Sequence, residues 1–452
     1  MPMASAGGQG TWSTRFGFLM AAIGSSVGLG NFWRFPYTAG ENGGAAFVII
    51  YLICVALIAF PILIAELSVG RHARKSAVGS TRKMAFDAGA SELWSIAGWV
   101  AMAGGVMILC FYSVVAGWVA AYVQMMAAGD FVGLGAEAAS QQFTALTSNT
   151  PVVIAWHTLF MGVTIGIVSF GVIKGIERTV TILMPLFFLM LIGLVVYAAF
   201  TADMGAAVEY LFAPDFSDVS ATTVLEALGQ AFFSIGVGSA IMITYGSYLS
   251  RKDNLPQSAL IISGADTMVA IIAGLAIFPF VFAFGLSASA GPGLFFQTLP
   301  TAFAQMPGGQ IVGTAFFALA FIAALTSSIS LLQVIVSFGE EHTDFGRVGS
   351  ALFFGGIIYM FGVAAAMSGD FFNVLDLVSG QILLPLGGLL IALFTGWVVS
   401  KSLMQKELPH AGTRMFAYWR FTIRWLAPIA VGLIIVAGLA NTFGVPLPFL
   451  GG

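Results

Sequence analysis

Charge is what this chain has least of. Only 8% of its 452 residues are Asp, Glu, Lys or Arg. A soluble domain carries roughly 25%, so a water-facing globule of this size would lack its polar surface. Neither sign dominates: the formal net charge is -3 and no basic block occurs, which argues against a nucleic-acid partner. Cysteine is nearly absent too. Cys54 and Cys110 both fall inside apolar runs, where they read as small packing residues, and no disulfide framework is expected. His72, His157, His342 and His410 are scattered without metal-ligand spacing. No H-E-x-x-H occurs and no His/Asp/Glu cluster falls within an apolar run, so enzyme chemistry is not expected. G-x-G recurs at Gly28–Gly30 and Gly236–Gly238, but neither copy follows a strand, so a nucleotide fold is not supported. The short polar start leads straight into an apolar stretch without an A-x-A-like cleavage pattern, and no signal peptide is expected.

What is present is apolar length. Hydrophobic residues make up 59% of the chain, and stretches near the ~20 residues that cross a bilayer recur throughout. Eleven spans are expected: 13–38, 43–70, 89–123, 150–171, 177–200, 223–249, 257–286, 309–338, 349–368, 371–399 and 418–443. Helices are the open-chain way to satisfy backbone groups in lipid, so the lipid bilayer is the first partner and the fold an all-α membrane bundle.

The cations set an orientation. Arg15 precedes the first span. Arg71, Arg74, Lys75, Arg82 and Lys83 follow the second, and Lys174 and Arg178 the fourth. Arg251 and Lys252 follow the sixth, Arg347 the eighth, and Lys401, Lys406, Arg414, Arg420 and Arg424 surround the start of the last. These alternate loops hold 16 of the 17 Lys and Arg residues, leaving Arg34. By the positive-inside rule that side is cytoplasmic. The N-terminus is then expected inside and the C-terminus outside, in a cytoplasmic (inner) membrane. Opposite loops carry Asp130, Glu137, Asp203, Glu209, Asp215 and Asp218.

Two spans look broken. The first holds Gly24, Gly28, Gly30, Asn31 and Pro36 in mid-membrane; the sixth holds Gly236 and Gly238 at similar depth, beside Ser234. Glycine weakens a helix by about 1 kcal/mol and proline by about 3. A single membrane glycine is more often a packing point, but matched clusters in two halves point to an inverted repeat with a binding site near the midplane. The expected division is 1–12 as a cytoplasmic segment, 13–200 and 201–400 as inverted five-helix repeats, and 401–452 as a cytoplasmic loop with the eleventh helix. Secondary transport is the leading reading; against a channel or receptor, the discriminating observation is flux coupled to a sodium gradient.

The runs VGLGNFWRFPYTAGENGGAAF, KGIER, ITYGSY and LTSSIS resemble the neurotransmitter:sodium symporter family, specifically its bacterial amino-acid branch with the leucine-transporter-like fold. The resemblance spans essentially the whole chain and implies sodium-coupled symport of an amino acid by alternating access. It also implies sites. One sodium ion would be held by Ser26, Asn31, Ser234 and Asp266 with the substrate carboxylate. A second would be held by Gly24, Val27, Ala323, Thr326 and Ser327. The substrate carboxylate would meet Leu29, Gly30 and Tyr112, and its ammonium the carbonyls around Ser25, Phe233 and Ser234. Ile108, Phe233, Gly236, Ser239 and Leu331 would line the side-chain pocket. Arg34, Asp376 and Gln230 would form the outer gate, and Trp12, Tyr248 and Glu341 the inner one.

The chain departs from the family's pattern in places. Gln9 stands where a basic gate residue is usual, with Arg15 a candidate substitute. Gly28 replaces the aspartate of amine-transporting members, which fits a substrate bearing its own carboxylate. Around the place of the bound chloride, Tyr51, Gln230 and Ser234 are kept. Asp266 and Ala270 complete the ring, and the expectation is no chloride, with Asp266 supplying the negative charge. Gly236 and Ser239 are smaller than their counterparts in the leucine transporter, implying a large hydrophobic or aromatic substrate; a small ω-amino acid or taurine-like zwitterion is the alternative. The oligomeric state is not legible.

Overall fold

The computed structural model describes residues 11–217, 219–288 and 293–442. Gln9 and Asp218 lie outside the described residues. Every regular element among the described residues is helical. In order they are α1 (Arg15–Ser26), α2 (Gly30–Glu41), α3 (Ala45–Ala73), α4 (Ala77–Asp87), α5 (Glu92–Ala128) and α6 (Ala136–Ser148). Then come α7 (Thr150–Ser169), α8 (Val172–Thr201), α9 (Met204–Phe212), α10 (Ala221–Ile235), α11 (Ile241–Ser247) and α12 (Leu255–Ala283). The last six are α13 (294–305), α14 (Gly309–His342), α15 (Gly346–Met367), α16 (Gly369–Val398), α17 (Lys401–Glu407) and α18 (Thr413–Ala440).

Local chemistry fixes where several begin. Thr14 caps α1 by accepting from the Gly17 amide, and Ser220 and Thr223 form a reciprocal capping box on α10. Asn254 and Ser368 cap α12 and α16 in the same way.

Among the described residues nine helices are long and apolar enough to cross a membrane, or ten if the bent pair α1/α2 counts as one. Eleven were expected. The missing one is 223–249, which is divided into α10 and α11, each too short to qualify. The divider is residues 236–240, where Gly236 (φ +71°), Gly238 (φ +85°) and Ala240 (φ +64°) all take left-handed backbone. That conformation cannot continue a right-handed helix.

Hydropathy does not distinguish core from periphery here. Of the most apolar 18-residue stretch, 94% is buried in α14 but only 22% in α18. α14 is therefore the central post, packed most extensively along α5, while α18 turns its apolar side chains outward. Where α3 and α11 cross, Gly246 lets backbones meet: a Cβ there would lie 2.7 Å from the Leu67 carbonyl oxygen.

Candidate functional site

Between α1 and α2 the helix lapses for three residues, Val27–Leu29, and the axis bends by 49°. Carbonyls at the end of α1 lose their helical donors, and they turn to α14. Ser327 Oγ lies 3.1 Å from the Ala323 oxygen, 3.3 Å from Ser25 O, and 3.4 Å from both Gly24 O and Val27 O. One hydroxyl has one proton, so at least three of these four carbonyls receive nothing from it. Thr326 Oγ1 adds another oxygen, back-bonded to Ile322 and Ala323 at 3.1 Å. This neutral, oxygen-rich and donor-poor set fits a hard monovalent cation. Gly28 is forced to be small, since a Cβ would lie 2.8 Å from Ser327 Oγ and 3.2 Å from the Tyr112 hydroxyl. That hydroxyl accepts from the Leu29 amide at 3.2 Å.

A second polar cluster lies on the other side of the break. Asn31 Nδ2 donates towards Asp266 Oδ1 (2.9 Å), Asp266 O (3.1 Å) and Ser234 Oγ (3.1 Å), and Ser234 Oγ donates to Asp266 Oδ2 (2.7 Å). The Gly28 amide, 3.0 Å from Asn31 Oδ1, orients the side-chain amide. Tyr51 sits against Asp266, Ser234 and Thr267. All of these are buried, so a carboxylate and several acceptors surround a position now served by one amide NH2. A cation could serve the same acceptors. The two broken helices are tied directly, by Ser26 Oγ donating to Ile235 O at 3.1 Å. The second break is held from α3, where Glu66 Oε1 accepts from the Gly238 amide at 2.6 Å.

Above these clusters opens a cavity of about 930 Å³, reaching from Leu29, Gly30 and Tyr112 past Phe233 to Arg34 and Asp376. A profile of the sodium:neurotransmitter symporter family matches residues 9–130 and 144–446. The chain belongs to that family. It is 35% identical to the uncharacterized sodium-dependent transporter YhdH of Bacillus subtilis over 94% of this chain and 96% of that protein. To an uncharacterized sodium-dependent transporter of Haemophilus influenzae it is 33% identical, over 95% and 98% of the two chains. It also resembles the crystal structure of MhsT in complex with L-phenylalanine, with 40% identity, a TM-score of 0.87, and coverage of 95% of this chain and 100% of that one. It is thus a multi-pass membrane protein of a sodium-coupled transporter family, not an enzyme.

Within this symporter the expected residues divide by place. Leu29, Gly30, Tyr112 and Phe233 line the cavity. Ile108, Gly236, Ser239 and Leu331 are not among its described walls. Ser239 Oγ donates back to Gly236 O. A Cβ on Gly236 would meet only Ser239 Oγ, at 3.9 Å, so space remains there. Ser25 Oγ turns to Ala22 O. Arg34 and Asp376 share the cavity without an ion pair within 4 Å; Arg34 lies over the Phe233 ring, 4.9 Å from its centroid. Gln230 Nε2 donates to Gly30 O at 3.3 Å.

The opposite end is shut. Trp12 donates from its amide to Tyr248 O and from its indole to Tyr245 O, both at 3.2 Å, and stands edge-on to both rings. Glu341 is engaged elsewhere: it accepts from the Ser76 amide at 2.7 Å and Lys75 Nζ at 3.3 Å. Arg15 bonds to Gln257 at 2.9 Å. The groups that do brace this end were not foreseen. Glu177, inside KGIER, accepts from the amides and hydroxyls of Ser13 and Thr14, a carboxylate at the N-terminus of α1 where the helix dipole favours it. Arg347 reaches Gln333, whose amide bonds to the Tyr248 hydroxyl at 2.8 Å. Only the KGIER motif hinted at either brace.

Proposed function

We propose that this symporter imports a neutral amino acid with a large hydrophobic or aromatic side chain, driven by two sodium ions and without chloride. The observation that carries this reading is the meeting of two helix breaks, joined through Ser26 and Ile235, with a cation-ready oxygen set on either side and a cavity above. Gly24, Val27, Ala323, Thr326 and Ser327 would ligate one ion. Ser26, Asn31, Ser234, Asp266 and the substrate carboxylate would ligate the other. Substrate would dock its carboxylate at Leu29, Gly30 and Tyr112 and its ammonium near Ser25, Phe233 and Ser234.

Gly28 supports a substrate that brings its own carboxylate, because a side-chain carboxylate there would collide with Ser327 and Tyr112. Space beside Gly236, together with MhsT having been crystallised with L-phenylalanine, supports a bulky side chain. Asp266 supplies the negative charge that a chloride would otherwise bring, and Ala270 cannot donate a hydrogen bond to one. In topology, α1/α2 and α10/α11 count as one broken span each, giving eleven. The repeats 13–200 and 201–400 are inverted, and the cation-rich loops face the cytoplasm. In that frame the inner gate is closed at Trp12 and the outer gate, Arg34 and Asp376, stands open.

The test is uptake of labelled phenylalanine into proteoliposomes. Uptake should collapse when potassium or choline replaces sodium. Competition should favour tryptophan, phenylalanine, tyrosine or leucine over glycine, alanine, taurine and γ-aminobutyrate. Asn31→Ala or Thr326→Ala should weaken sodium affinity and, through linkage, substrate affinity by a comparable coupling free energy. Undiminished sodium-free uptake would overturn symport; victory of taurine or an ω-amino acid would overturn the substrate class alone.

A further inference from the structure

A second cavity, about 520 Å³, lies between α17, the loop after it and the start of α18, far along the chain from the breaks. Its walls include three cations, Lys401, Arg420 and Arg424, and three aromatic rings, Phe416, Phe421 and Trp425. Among the described residues none of the three cations makes an ion pair. The carboxylate on α17, Glu407, is already shared by Arg71, His72 and Arg251. Arg424 is held in place rather than neutralised. Its guanidinium lies 4.3 Å from the Trp397 ring centroid and 6.0 Å from that of Trp425, and its Nε is buried without a hydrogen-bond partner. Arg420 has only a 3.4 Å bond to the Thr395 carbonyl. Three like charges around one hollow repel each other, and an anion there would relieve the repulsion and take up the free donors.

The same helix says which anion. Phe421, Trp425, Ile429, Leu433 and Val436 are all exposed. Their spacing of three and four puts them on one face of α18, an apolar track about 22 Å long at 1.5 Å per residue. The cations stand at one end of that track, where the apolar span begins. Trp397 and Trp425, in edge contact at 4.7 Å, mark that end as the membrane–water boundary.

We propose that this hollow binds the phosphate headgroup of an anionic phospholipid, with one acyl chain lying along the α18 track. Arg420 and Arg424 provide forked donors to phosphate oxygens, and Lys401 adds a point charge from the aqueous side. Basic hollows between membrane helices are the expected form of such sites.

The experiment uses the full-length protein in a neutral detergent. Its thermal midpoint is followed on titration with dioleoylphosphatidylglycerol, dioleoylphosphatidylcholine or soluble glycerol 3-phosphate. The anionic lipid should raise the midpoint, and the zwitterionic lipid and glycerol phosphate should not. Lys401→Gln, on an exposed side chain, and Arg420→Gln should each weaken the apparent lipid affinity about fivefold, the equivalent of ~1 kcal/mol per surface cation. The control pair Arg82→Gln/Arg251→Gln should respond like the wild type. An equal lipid response in Lys401→Gln/Arg420→Gln would overturn the site. A full shift with glycerol phosphate would overturn the lipid in favour of a soluble phosphate ester.

Discussion

Replacing Asp266 by asparagine keeps the side-chain volume and removes one charge. In the structure that carboxylate takes two hydrogen bonds, from Asn31 Nδ2 at 2.9 Å and Ser234 Oγ at 2.7 Å. The amide can still accept one of them, so the local geometry should survive. What is lost is Coulombic. A unit charge pair at ~4 Å is worth about 4 kcal/mol at an effective dielectric of about 20, and the amide dipole retains part of that. Taking half gives ~2 kcal/mol, or about a thirtyfold loss of sodium affinity, and linkage passes a comparable loss to the substrate. The assay is sodium-dependent binding and uptake with chloride or gluconate as the counter-ion. Wild type should be indifferent to the anion. Asp266→Asn should be impaired in both, and Asp266→Asn/Ala270→Ser should recover part of its uptake with chloride alone. A wild type that stops in gluconate, or an Asp266→Asn variant binding sodium within twofold of normal, would refute the assignment.

Ser239→Phe should fill the space beside Gly236, where overpacking costs about 1–3 kcal/mol. Competition by tryptophan or phenylalanine should weaken at least ~5-fold relative to alanine, and an unchanged ranking would place the pocket elsewhere. Glu407→Gln should lower stability at pH 7 by about 3 kcal/mol, because Arg71 is left buried without its counter-charge. Burial pushes the Glu407 carboxyl up, but the hydrogen bond from His72 and the positive charge of Arg71 outweigh it, leaving Glu407 below the usual glutamate range. That contribution is complete above the ordinary glutamate pKa and disappears as the pH falls through the depressed value. Thermal midpoints measured from about pH 5 down to about pH 3, through the ordinary glutamate pKa and below it, should therefore fall less steeply in Glu407→Gln, and parallel curves would count against the linkage.

The apolar segments were legible because span length and glycine content are local properties. Gly24, Gly28 and Gly30 flank the place where α1 stops, and Gly236 and Gly238 lie where α10 stops. Ala240 shows the limit, since an alanine with φ +64° has no compositional signature. α4 and α17 were not foreseen as helices, being short and polar rather than apolar runs. The resemblance put Glu341 with Trp12 and Tyr248, yet the structure commits it to Ser76 and Lys75. On a 34-residue helix, which neighbour a side chain meets depends on rotation about the axis, set by the packing of the whole bundle. Glu177 and Ser13 are 164 positions apart, and no periodicity links them.

α1 is a helix of 12 residues, about 18 Å long, with the break at Val27–Leu29 at one end and Trp12 just beyond the other. A turn of about 20° at the break would swing the other end by ~6 Å over that length, far enough to part both 3.2 Å bonds from Trp12 and the Glu177 cap together. The oxygens of Gly24, Ser25 and Val27 sit at the fulcrum and barely travel. A displacement of a fraction of an ångström among them becomes a whole-residue movement at the far end. An ion that fastened those oxygens to α14, as proposed, would therefore work at the short arm of a lever, where a small displacement is enough.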